Sequence, residues 1–472
     1  MKKTRIVATV GPASDSKENM KKIVEAGVNV FRLNFSHGTH ESHQLIIDKA
    51  KEVREEIKRP LGILADLQGP RIRVGNTEPF EIEKGEIISV SDKKTASAGG
   101  KELIIDSDGV ASALQVGERI LVEDGVMRLQ VVEKLEDSVR AEVKNGGMIK
   151  PRKGINVPDT KLAFGAVTEK DRKDLEFALK NEVDFVALSF VSNAQEVIET
   201  RENIKRILGR KDSLPQIVVK VERKEAIDNI DEIIEAADIV MVARGDLGIE
   251  LAESKVVIYQ KEIIAKCLRS AKPVIVATQM LDSMINNPIP TRAEVSDVSN
   301  AVIDHTDAVM LSGESANGKY PVEAVETMTQ IIQDTEDSPF DDMNMKYDNI
   351  VYNDYDSVIN SAHDLAVTSG AKAIVLFSDA GTSARMMAHH RPEQMILVAT
   401  CNPKTYSQMS IVWGARSYLF ECNLNDREDM INEVIELSKK AGRLQFGDKV
   451  VVILGKIPGR KDVALTGIRI VE

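Results

Sequence analysis

The segment Gln216–Gly248, QIVVKVERKEAIDNIDEIIEAADIVMVARGDLG, contains the pattern that decides the fold. A β-branched apolar run ends in Lys220-Val221-Glu222, a helical stretch follows, and a second apolar run ends in Ala243-Arg244-Gly245-Asp246. Strands that alternate with helices in this way pair in parallel. The segment therefore predicts a strand–helix–strand unit of an α/β protein.

The same pattern recurs through the first two thirds of the chain. Eight strands alternating with helices close a (β/α)8 TIM barrel, and an open doubly wound sheet is the main structural alternative. The predicted strands are Arg5–Val10, Val28–Phe35, Leu61–Leu67, Asp184–Phe190, Gln216–Val221, Ile239–Ala243, Pro273–Thr278 and Ala308–Leu311.

A long segment separates the third strand from the fourth, and its pattern differs from that of the barrel. Apolar and polar residues alternate there, with turns at Glu123-Asp124-Gly125 and Asn145-Gly146-Gly147, which is typical of antiparallel β structure. Loops after barrel strands emerge on the catalytic face, so an insert there can act as a lid. We expect an inserted β-barrel lid domain at 71–157, interrupting a catalytic barrel at 1–70 and 158–335.

The remainder of the chain predicts a further domain. An acidic, polar stretch from Asp334 to Asp356 is typical of a linker, and strands alternating with helices follow it. We expect a C-terminal α/β domain at 336–472. Its predicted strands are Ala373–Phe377, Met395–Thr400, Ala415–Phe420 and Lys449–Leu454.

Composition narrows the classes of function. The net charge of −12 argues against general nucleic-acid binding, so any phosphate ligand has to be attracted by a local cluster of cations. The apolar run after MKKTR is too short for a signal peptide, and no stretch is long enough to span a bilayer. The three cysteines show no metal-like spacing and are expected to be thiols, which fits a cytoplasmic location.

Polar side chains cluster where the second barrel strand ends. Arg32, Asn34 and Ser36 are two residues apart, so they share one side of the strand, opposite Leu33 and Phe35. If the apolar pair faces the helices, the polar trio faces the barrel axis. A buried arginine there needs an anion, and a structural partner is the alternative.

Charged residues also end the fifth and sixth strands. Lys220 and Glu222 share one side of the fifth strand, and a structural salt bridge is the simpler interpretation of that pair. Asp246 follows the neighbouring strand, and two carboxylates at adjacent strand ends can hold one Mg²⁺ or Mn²⁺ ion while leaving positions for water and phosphate. Thr278 places a hydroxyl at the same rim. Cations and carboxylates without a nucleophile–base pair suit phosphoryl transfer.

With these residues in place, the chain resembles the pyruvate kinase family over nearly its whole length. The segments that carry the resemblance are ATVGPAS, FRLNFSHG, KGINVP, TEKDRKDL, VDFVALSFV, VARGDLGIE, ATQMLDSM, PTRAEVSDVSNAV and AVMLSGESANGKYPVEAV. The resemblance implies transfer of the phosphoryl group of phosphoenolpyruvate to ADP, a lid domain, a regulatory C-terminal domain and a homotetramer.

The resemblance also implies roles for individual residues. Arg32 and Lys220 would contact the phosphoryl group, and Glu222 and Asp246 would ligate magnesium. Backbone at Gly245 and Asp246 would receive the substrate carboxylate, with Thr278 near the carbon that is protonated. The residues expected to reach the nucleotide phosphates are Asn34, His37, Arg73 and Lys153.

One departure from the family concerns the monovalent cation. Members that need K⁺ typically read Asp-Thr-Lys-Gly-Pro-Glu, whereas this chain reads Asp66-Leu67-Gln68-Gly69-Pro70-Arg71. The guanidinium of Arg71 could supply the charge that K⁺ otherwise provides. We therefore expect activity without K⁺. The residual monovalent-cation site would comprise Asn34, Ser36, Asp66 and Leu67.

Other departures are Arg223, where the family usually has asparagine, and Ser192, where arginine is usual. In the C-terminal domain, the turn containing Ser378, Gly381, Thr382 and Ser383 could bind a phosphorylated effector, together with a later loop at Gly455–Thr466. An ordinary N-capped turn is the alternative.

Two rival functions remain at this point. A barrel lyase or aldolase acting on a keto acid would also hold magnesium with Glu and Asp, but it would need no lid. A non-catalytic sensor of phosphorylated metabolites is the second rival, and the intact Lys220, Glu222, Asp246 and Thr278 argue against it.

Overall fold

A closed barrel of eight parallel strands forms the centre of the molecule. The computed structural model describes residues 2–92, 101–162, 165–341, 354–421, 427–454 and 465–472. The predicted barrel is therefore confirmed, and the open-sheet alternative is wrong. In chain order, the first to eighth barrel strands are Arg5–Thr9, Val30–Asn34, Gly62–Asp66, Phe185–Leu188, Gln216–Val221, Ile239–Ala243, Val274–Ala277 and Ala308–Leu311.

Helices cover the outside of the barrel. Thr168 and Thr291 each begin a helix with a reciprocal capping box, in which the third residue of the helix bonds back to the cap. The helices are Lys17–Ala26, His40–Ile57, Glu169–Lys180, Ala194–Leu208, Lys224–Asp228, Ile230–Ala236, Arg244–Glu250, Glu253–Arg269, Arg292–Ile303, Gly313–Ala316 and Pro321–Glu336, with a 3₁₀ turn at Asp282–Ile285.

Strand alternation sorts the side chains as the sequence pattern predicts. Leu33 and Phe35 are buried in the layer between strands and helices. Val7, Val30 and Val218 belong instead to the core inside the barrel. Residues two apart from these along the second and fifth strands, including Arg32 and Lys220, therefore face the barrel axis.

A repeated contact closes the N-terminal end of the barrel. An Asn or Asp residue directly precedes each even-numbered strand; these residues are Asn29, Asp184, Asp238 and Asp307. A side-chain oxygen of each accepts a hydrogen bond from the backbone N–H of one residue in the preceding odd-numbered strand, at 2.8–3.0 Å. Because a buried N–H without an acceptor is costly, these four side chains stabilise the start of each strand pair. The donors are Ile6, Ile63, Ile217 and Val274.

The segment inserted after the third strand forms a β structure with its own core. Seven strands form one sheet and two form another, and all but one of the pairings are antiparallel. The strands are Ile72–Arg73, Phe80–Ile82, Ile87–Ser91, Glu102–Ile104, Arg119–Val122, Met127–Lys134, Ser138–Asn145, Gly147–Ile149 and Gly154–Asn156, with a short helix at Val110–Ala113.

The C-terminal α/β domain is a five-stranded sheet whose last strand is antiparallel. Its 3₁₀ segment Met409–Ile411 packs against the N-terminal end of the barrel, and Met409 and Trp413 share a core with Val7 and Leu64. The strands are Ala373–Phe377, Met395–Thr400, Ala415–Leu419, Lys449–Ile453 and Thr466–Ile470, and the helices are Asp354–Ser369, Thr382–His389, Pro403–Gln408 and Arg427–Lys440.

Polar contacts also join this domain to the barrel. Lys404 donates to Asp184 at 3.4 Å and Arg391 to Asp307 at 3.0 Å, so two of the four strand-start side chains bind cations of the C-terminal domain. The domain therefore covers the N-terminal face and leaves the opposite face, where the polar strand ends lie, to the insert.

Some details differ from the sequence predictions. In the insert, the alternating segment 80–90 does not form one continuous strand, because a turn at 83–86 divides it into Phe80–Ile82 and Ile87–Ser91. The strands that were not predicted are Ile72–Arg73, Glu102–Ile104, Gly147–Ile149 and Gly154–Asn156 in the insert and Thr466–Ile470 in the C-terminal domain. Cys267 is a buried free thiol, but Cys401 is disulfide-bonded, which corrects the expectation of a thiol there. The domain boundaries at 70, 157 and 335 stay predictions.

Within the described residues, no helix has the length and apolar character needed to cross a membrane.

Candidate active site

A polar cavity lies at the C-terminal ends of the barrel strands. Its walls come from seven of the eight strands or the residues that directly follow them, which explains why residues far apart in sequence meet there. The lining residues are Arg32, Asn34, Ser36, Gln68, Arg71, Ser189, Phe190, Lys220, Glu222, Met241, Ala243, Asp246, Thr278 and Met310.

Arg32 is held by a buried carboxylate on the neighbouring strand. Its Nε donates to Asp66 Oδ2 at 2.6 Å and its Nη1 to Thr9 Oγ1 at 2.9 Å. Burial would raise the pKa of Asp66, but the charges of Lys220 and Arg32 outweigh it and lower that pKa. Asp66 thus stays ionised and fixes the guanidinium at the cavity wall.

Lys220 lies between two carboxylates. Its Nζ is 2.7 Å from Glu222 Oε1 and 3.3 Å from Asp66 Oδ1, and it donates to Ser189 Oγ at 2.9 Å. Burial opposes the charged form, yet Asp66 and Glu222 raise the pKa of Lys220. The side chain is therefore a fixed cation in the cavity.

Glu222 and Asp246 line the cavity from adjacent strand ends, as predicted. Glu222 is buried, and its Oε2 accepts the N–H of Phe190 at 2.8 Å. Burial raises the pKa of Glu222 to about 7; Lys220 opposes this shift and the charge of Asp246 adds to it. Within the described part of the chain, the Asp246 carboxylate has neither a hydrogen bond nor an ion pair.

This pair of carboxylates fits a hard divalent ion. The carboxylates of buried Glu222 and of Asp246, which has no hydrogen-bond donor within the described residues, offer oxygen ligands. The rest of the cavity leaves room for water and a phosphate oxygen, and Mg²⁺ is usually held by such a combination of ligands. No cluster of three or more His, Cys, Asp or Glu side chains suited to a metal occurs among the described residues, so a dedicated all-protein cage is absent there.

The backbone at the end of the seventh strand is strained, and Arg244 supports it from the side away from the cavity. Thr278 and Gln279 have φ values of 69° and 54°, in the left-handed region that costs energy for such residues. Arg244 donates to both of their carbonyl oxygens, at 2.7 and 3.2 Å, and pairs with Asp297 at 2.6 Å. Because Arg244–Glu250 is a helix and not an extended strand end, Arg244 points away from the cavity that Asp246 lines.

Thr278 Oγ1 also connects two elements of the rim. It accepts the N–H of Gly245 at 2.8 Å and donates to Ala277 O at 2.6 Å. The Gly245 amide predicted to receive a substrate carboxylate is thus already engaged by Thr278 in this structure.

Three residues expected to bind nucleotide lie outside this cavity wall. Lys153 pairs with Glu123 of the insert at 2.5 Å, and Arg73 donates to Arg152 O at 3.1 Å. His37 is exposed, and its carbonyl oxygen lies 2.9 Å from the His43 ring Nε2. Asn34, the fourth of the set, does line the cavity.

The residues of the monovalent-cation prediction are largely engaged by the chain itself. Asn34 Oδ1 accepts the N–H of Ser36 at 3.1 Å, and Leu67 O accepts the Ser189 hydroxyl at 2.7 Å. The Leu67 side chain is buried among the barrel helices, so only its backbone is available here. Arg71 lines the cavity with Asn34 and Ser36.

The predicted effector turn in the C-terminal domain is a tight strand-to-helix connection. Gly381 has φ of 76° and precedes helix Thr382–His389. Ser378 and Ser383 are buried, and the Ser383 hydroxyl lies 2.6 Å from Tyr355 OH, whereas Thr382 is exposed. The later loop of this prediction, apart from Leu465 and Thr466, lies outside the described residues.

Sequence reasoning missed some residues of the site. Ser189 and Phe190 were recognised only as part of the motif VDFVALSFV, although Ser189 contacts Lys220 and Phe190 donates to Glu222. Phe190 has φ of 56°, which no sequence pattern indicates. Asp297 was also missed, because no sequence pattern indicates that it pairs with Arg244.

Comparisons with known proteins identify the family of this chain. Residues 1–325 match the family model described as pyruvate kinase, barrel domain, and residues 356–464 match pyruvate kinase, alpha/beta domain. The pyruvate kinase of Geobacillus stearothermophilus is 41% identical over 462 residues, covering 96% of this chain and 78% of the relative. That of Staphylococcus epidermidis is 39% identical over 471 residues, covering 98% and 79%.

A solved structure gives the same result at the level of the fold. The crystal structure of a pyruvate kinase from Cryptosporidium parvum superimposes with a TM-score of 0.92 at 33% identity, covering 100% of this chain and 96% of that chain. These relatives support pyruvate kinase function over a keto-acid lyase. The chain therefore belongs to the pyruvate kinase family, whose members are phosphotransferases.

Proposed function

We propose that the cavity at the barrel mouth is where this chain transfers the phosphoryl group of phosphoenolpyruvate to ADP, giving pyruvate and ATP in the last step of glycolysis. The observation that carries the proposal is the convergence of two fixed cations, Arg32 and Lys220, with the carboxylates Glu222 and Asp246 in one cavity. Phosphoryl transfer needs positioning and charge stabilisation more than covalent chemistry, and this set supplies both.

Glu222 and Asp246 would hold the Mg²⁺ ion, with Mn²⁺ as a substitute. The ion supplies positive charge that polarises phosphate oxygens and orients the substrate. Lys220 lies 2.7 Å from Glu222, so the same carboxylate links the metal position to a cation for the phosphoryl oxygens. Arg32 and Lys220 both contact Asp66, and Arg32, fixed by that carboxylate, would also contact the phosphoryl group.

Thr278 would lie near the substrate carbon that is protonated. Its hydroxyl accepts the N–H of Gly245 and donates its proton to Ala277 O, so a hydrogen bond to the substrate would replace one of these two contacts. Backbone amides at Gly245 and Asp246 would receive the substrate carboxylate, and the Gly245 amide would have to exchange Thr278 for the substrate.

The inserted β domain would act as a lid that completes the nucleotide site. Arg73 and Lys153 lie at its two junctions with the barrel, and closure would bring them toward Asn34 and His37. Lys153 would exchange Glu123 for nucleotide phosphate, a stronger negative partner.

We propose that activity does not require K⁺. The Asp66 carboxylate is bound by Arg32, Asn34 Oδ1 is bound by the Ser36 amide, and Arg71 lines the same cavity. The positions that would otherwise hold a monovalent cation are thereby occupied by protein donors or supplied with a guanidinium.

The proposals on assembly, location and regulation rest on the resemblance of the chain to the family. We propose a cytoplasmic homotetramer with an allosteric C-terminal domain, in which the turn at Ser378, Gly381, Thr382 and Ser383 takes a phosphorylated effector. Buried Ser383 already bonds to Tyr355, so the exposed Thr382 is the hydroxyl of this turn best placed for a ligand.

A coupled assay for pyruvate formation tests the proposed site. Glu222→Gln and Asp246→Asn should each abolish turnover with phosphoenolpyruvate, ADP and Mg²⁺ while the circular dichroism spectrum stays unchanged. Glu253→Gln, at an exposed position outside the cavity, is the matched control. Near-normal activity in either cavity variant would overturn the metal assignment.

A further inference from the structure

The helix Glu169–Lys180 is the first helix after the inserted domain, and its first two turns contact two loops of the active site. One loop, residues 35–39, follows the second barrel strand, and the other, residues 67–71, follows the third. The cavity-lining residues of these strand ends and loops are Asn34, Ser36, Gln68 and Arg71. The helix itself does not line the cavity, so it can affect the site only through the two loops.

Asp171 holds the loop that follows the third strand. Its carboxylate is buried, Oδ1 accepts the N–H of Gly69 at 3.1 Å, and Oδ2 accepts the N–H and the hydroxyl of Thr168 at 2.9 and 2.6 Å. Gly69 has φ of 70°, and a Cβ there would lie 2.9 Å from the Phe190 ring, so the loop packs directly against the end of the fourth strand. The N–H of Arg71 donates to Gly69 O at 3.0 Å. Asp171 therefore fixes the turn from which Arg71 reaches the cavity.

Lys170 and Asp174 hold the loop that follows the second strand. Lys170 Nζ donates to Phe35 O at 2.7 Å and to Asp174 Oδ2 at 2.6 Å. Asp174 is buried, and its Oδ1 lies 2.7 Å from Nε2 of His40, the first residue of the next helix. The His40 ring stacks on Phe177 with 4.4 Å between the ring centroids. Both ends of this loop, Phe35 and His40, are thus bound to helix Glu169–Lys180.

The two buried carboxylates hold both loops from one face of the helix. Asp171 and Asp174 are three residues apart, and residues with this spacing are neighbours on a helix surface. The capping box joins Asp171 to Thr168 within the helix end, but the contacts with Gly69, Phe35 and His40 reach other elements. Buried carboxylates are costly unless hydrogen bonds satisfy them, so these contacts also fix where the loops lie.

We propose that Lys170, Asp171 and Asp174 are positioning residues that set where the two loops place Arg71 and Asn34 in the cavity. The inference rests on the proposed function, in which Arg71 replaces K⁺ and Asn34 contacts the nucleotide. Displacement of an active-site group by about 1 Å is enough to slow a reaction strongly. Because different residues hold the two loops, their loss should have different kinetic effects.

The response to K⁺ tests the contact between Asp171 and Gly69. Asp171→Ala should lower kcat in K⁺-free buffer about tenfold by displacing Arg71, and added K⁺ should restore part of that loss. Thr168→Ala removes the N-cap of the same helix but keeps the Gly69 contact, so its response to K⁺ should match that of the wild type. An Asp171→Ala enzyme that keeps its kcat without K⁺, or that is equally slow with and without K⁺, would overturn the role of Asp171.

The KM for ADP tests the other loop, whether or not Asp171→Ala folds. The Lys170 side chain is 51% exposed, so Lys170→Met is expected to fold. It should raise the KM for ADP about fivefold to tenfold, the scale of one hydrogen bond, with little change in kcat, because Asn34 and His37 would contact the nucleotide. Lys170→Arg keeps a donor and should restore most of the affinity. Lys173→Met, which removes an exposed ion pair with Glu169 on the same helix, is the matched control.

The two measurements also separate this inference from the proposed function. Equal KM values for Lys170→Met and Lys173→Met would overturn the role of Lys170. A wild type that is active without K⁺, with Asp171→Ala and Lys170→Met that both behave as their controls do, would overturn the positioning role of the helix alone. A wild type that is inactive without K⁺ would instead contradict the proposed K⁺ independence, and the KM for ADP would still decide whether the helix positions the second loop.

Discussion

The ammonium group of Lys220 lies 2.7 Å from Oε1 of Glu222, although both side chains are nearly inaccessible to solvent. A buried pair of this kind is seldom a source of stability, because the desolvation of two charges offsets their attraction. Its value here is position. Lys220 and Glu222 share one side of the fifth strand, so the proposed cation for the phosphoryl group and the proposed metal carboxylate are held at a fixed spacing.

Replacing Lys220 by methionine should lower kcat by about a factor of 10² to 10³ or more, the usual loss when a fixed donor to developing charge is removed. The methionine side chain keeps much of the volume but leaves Glu222 without its cation. The coupled assay measures the loss, and Lys224→Met, at an exposed position on the following helix, is the control. A variant that retains more than a tenth of wild-type kcat would remove Lys220 from the mechanism.

Potassium dependence should follow the charge at residue 71. The wild type is expected to keep most of its activity when K⁺ is replaced by Na⁺ or by a bulky organic cation, since Arg71 already places a charge at the cavity. Arg71→Glu should lower activity without K⁺ at least tenfold and recover part of it when K⁺ is added. Arg71→Lys keeps the charge and is the matched control; a wild type that is inactive without K⁺ would refute the idea.

Much of this site was predictable because strand alternation is a strict rule. Arg32, Asn34 and Ser36 were expected to face the barrel axis, and the structure places them on the cavity wall. The same rule does not hold beyond the end of the sixth strand. At Arg244 the chain turns directly into a helix, so residues two apart no longer share a side, and only Asp246 reaches the cavity.

The barrel was predictable from the regular pattern of its strands, and the features that the prediction missed have physical causes. The eight barrel strands are short runs of mostly buried apolar residues, which is typical of parallel strands covered on both faces. The missed strand Thr466–Ile470 is mostly exposed at the edge of its sheet, so its pattern is weak. The backbone of Phe190 and Thr278, with φ of 56° and 69°, depends on tertiary contacts that local sequence does not encode.

Loss of the Asp297 carboxylate, which holds Arg244 behind the rim of the seventh strand, should impair catalysis although Asp297 does not line the cavity. Asp297→Asn leaves buried Arg244 without its charged partner, and Arg244 is what holds the carbonyl oxygens of Thr278 and Gln279. We expect a loss of about 1–3 kcal/mol of stability, below the range for a fully buried pair because 33% of the Asp297 side chain is exposed.

The kinetic effect should identify Asp297 as a positioning residue. kcat should fall about tenfold with little change in KM for ADP, because the proposed position of Thr278 is near the substrate carbon and not near the nucleotide. Asp297→Glu should restore part of kcat. Asp304→Asn removes an ion pair with Lys261 just beyond the same helix and should leave kcat unchanged; an equal loss in both variants would indicate a general effect on the fold.

The last prediction concerns the pH dependence of stability through Glu250, at the end of the helix that carries Asp246. Glu250 is 7% exposed, and burial raises its pKa to about 7 from the ordinary value of 4.5; Arg223 and Arg119 oppose the shift and Glu225 adds to it. The native state therefore holds this proton more tightly than the unfolded chain. Its contribution to stability is fully present below pH 4.5 and is lost as the pH rises through 7.

Glu250→Gln keeps the neutral form at every pH and should remove that loss. The variant and the wild type should have similar stability near pH 4.5, and the variant should be more stable at pH 8, by about 3 kcal/mol at most, since each tenfold change in proton affinity is worth about 1.4 kcal/mol. Thermal unfolding at several pH values measures the difference, with the exposed Glu253→Gln as the control. A difference that does not grow between pH 5 and pH 8 would mean that Glu250 is ionised in the native protein at both, held by the arginines around it.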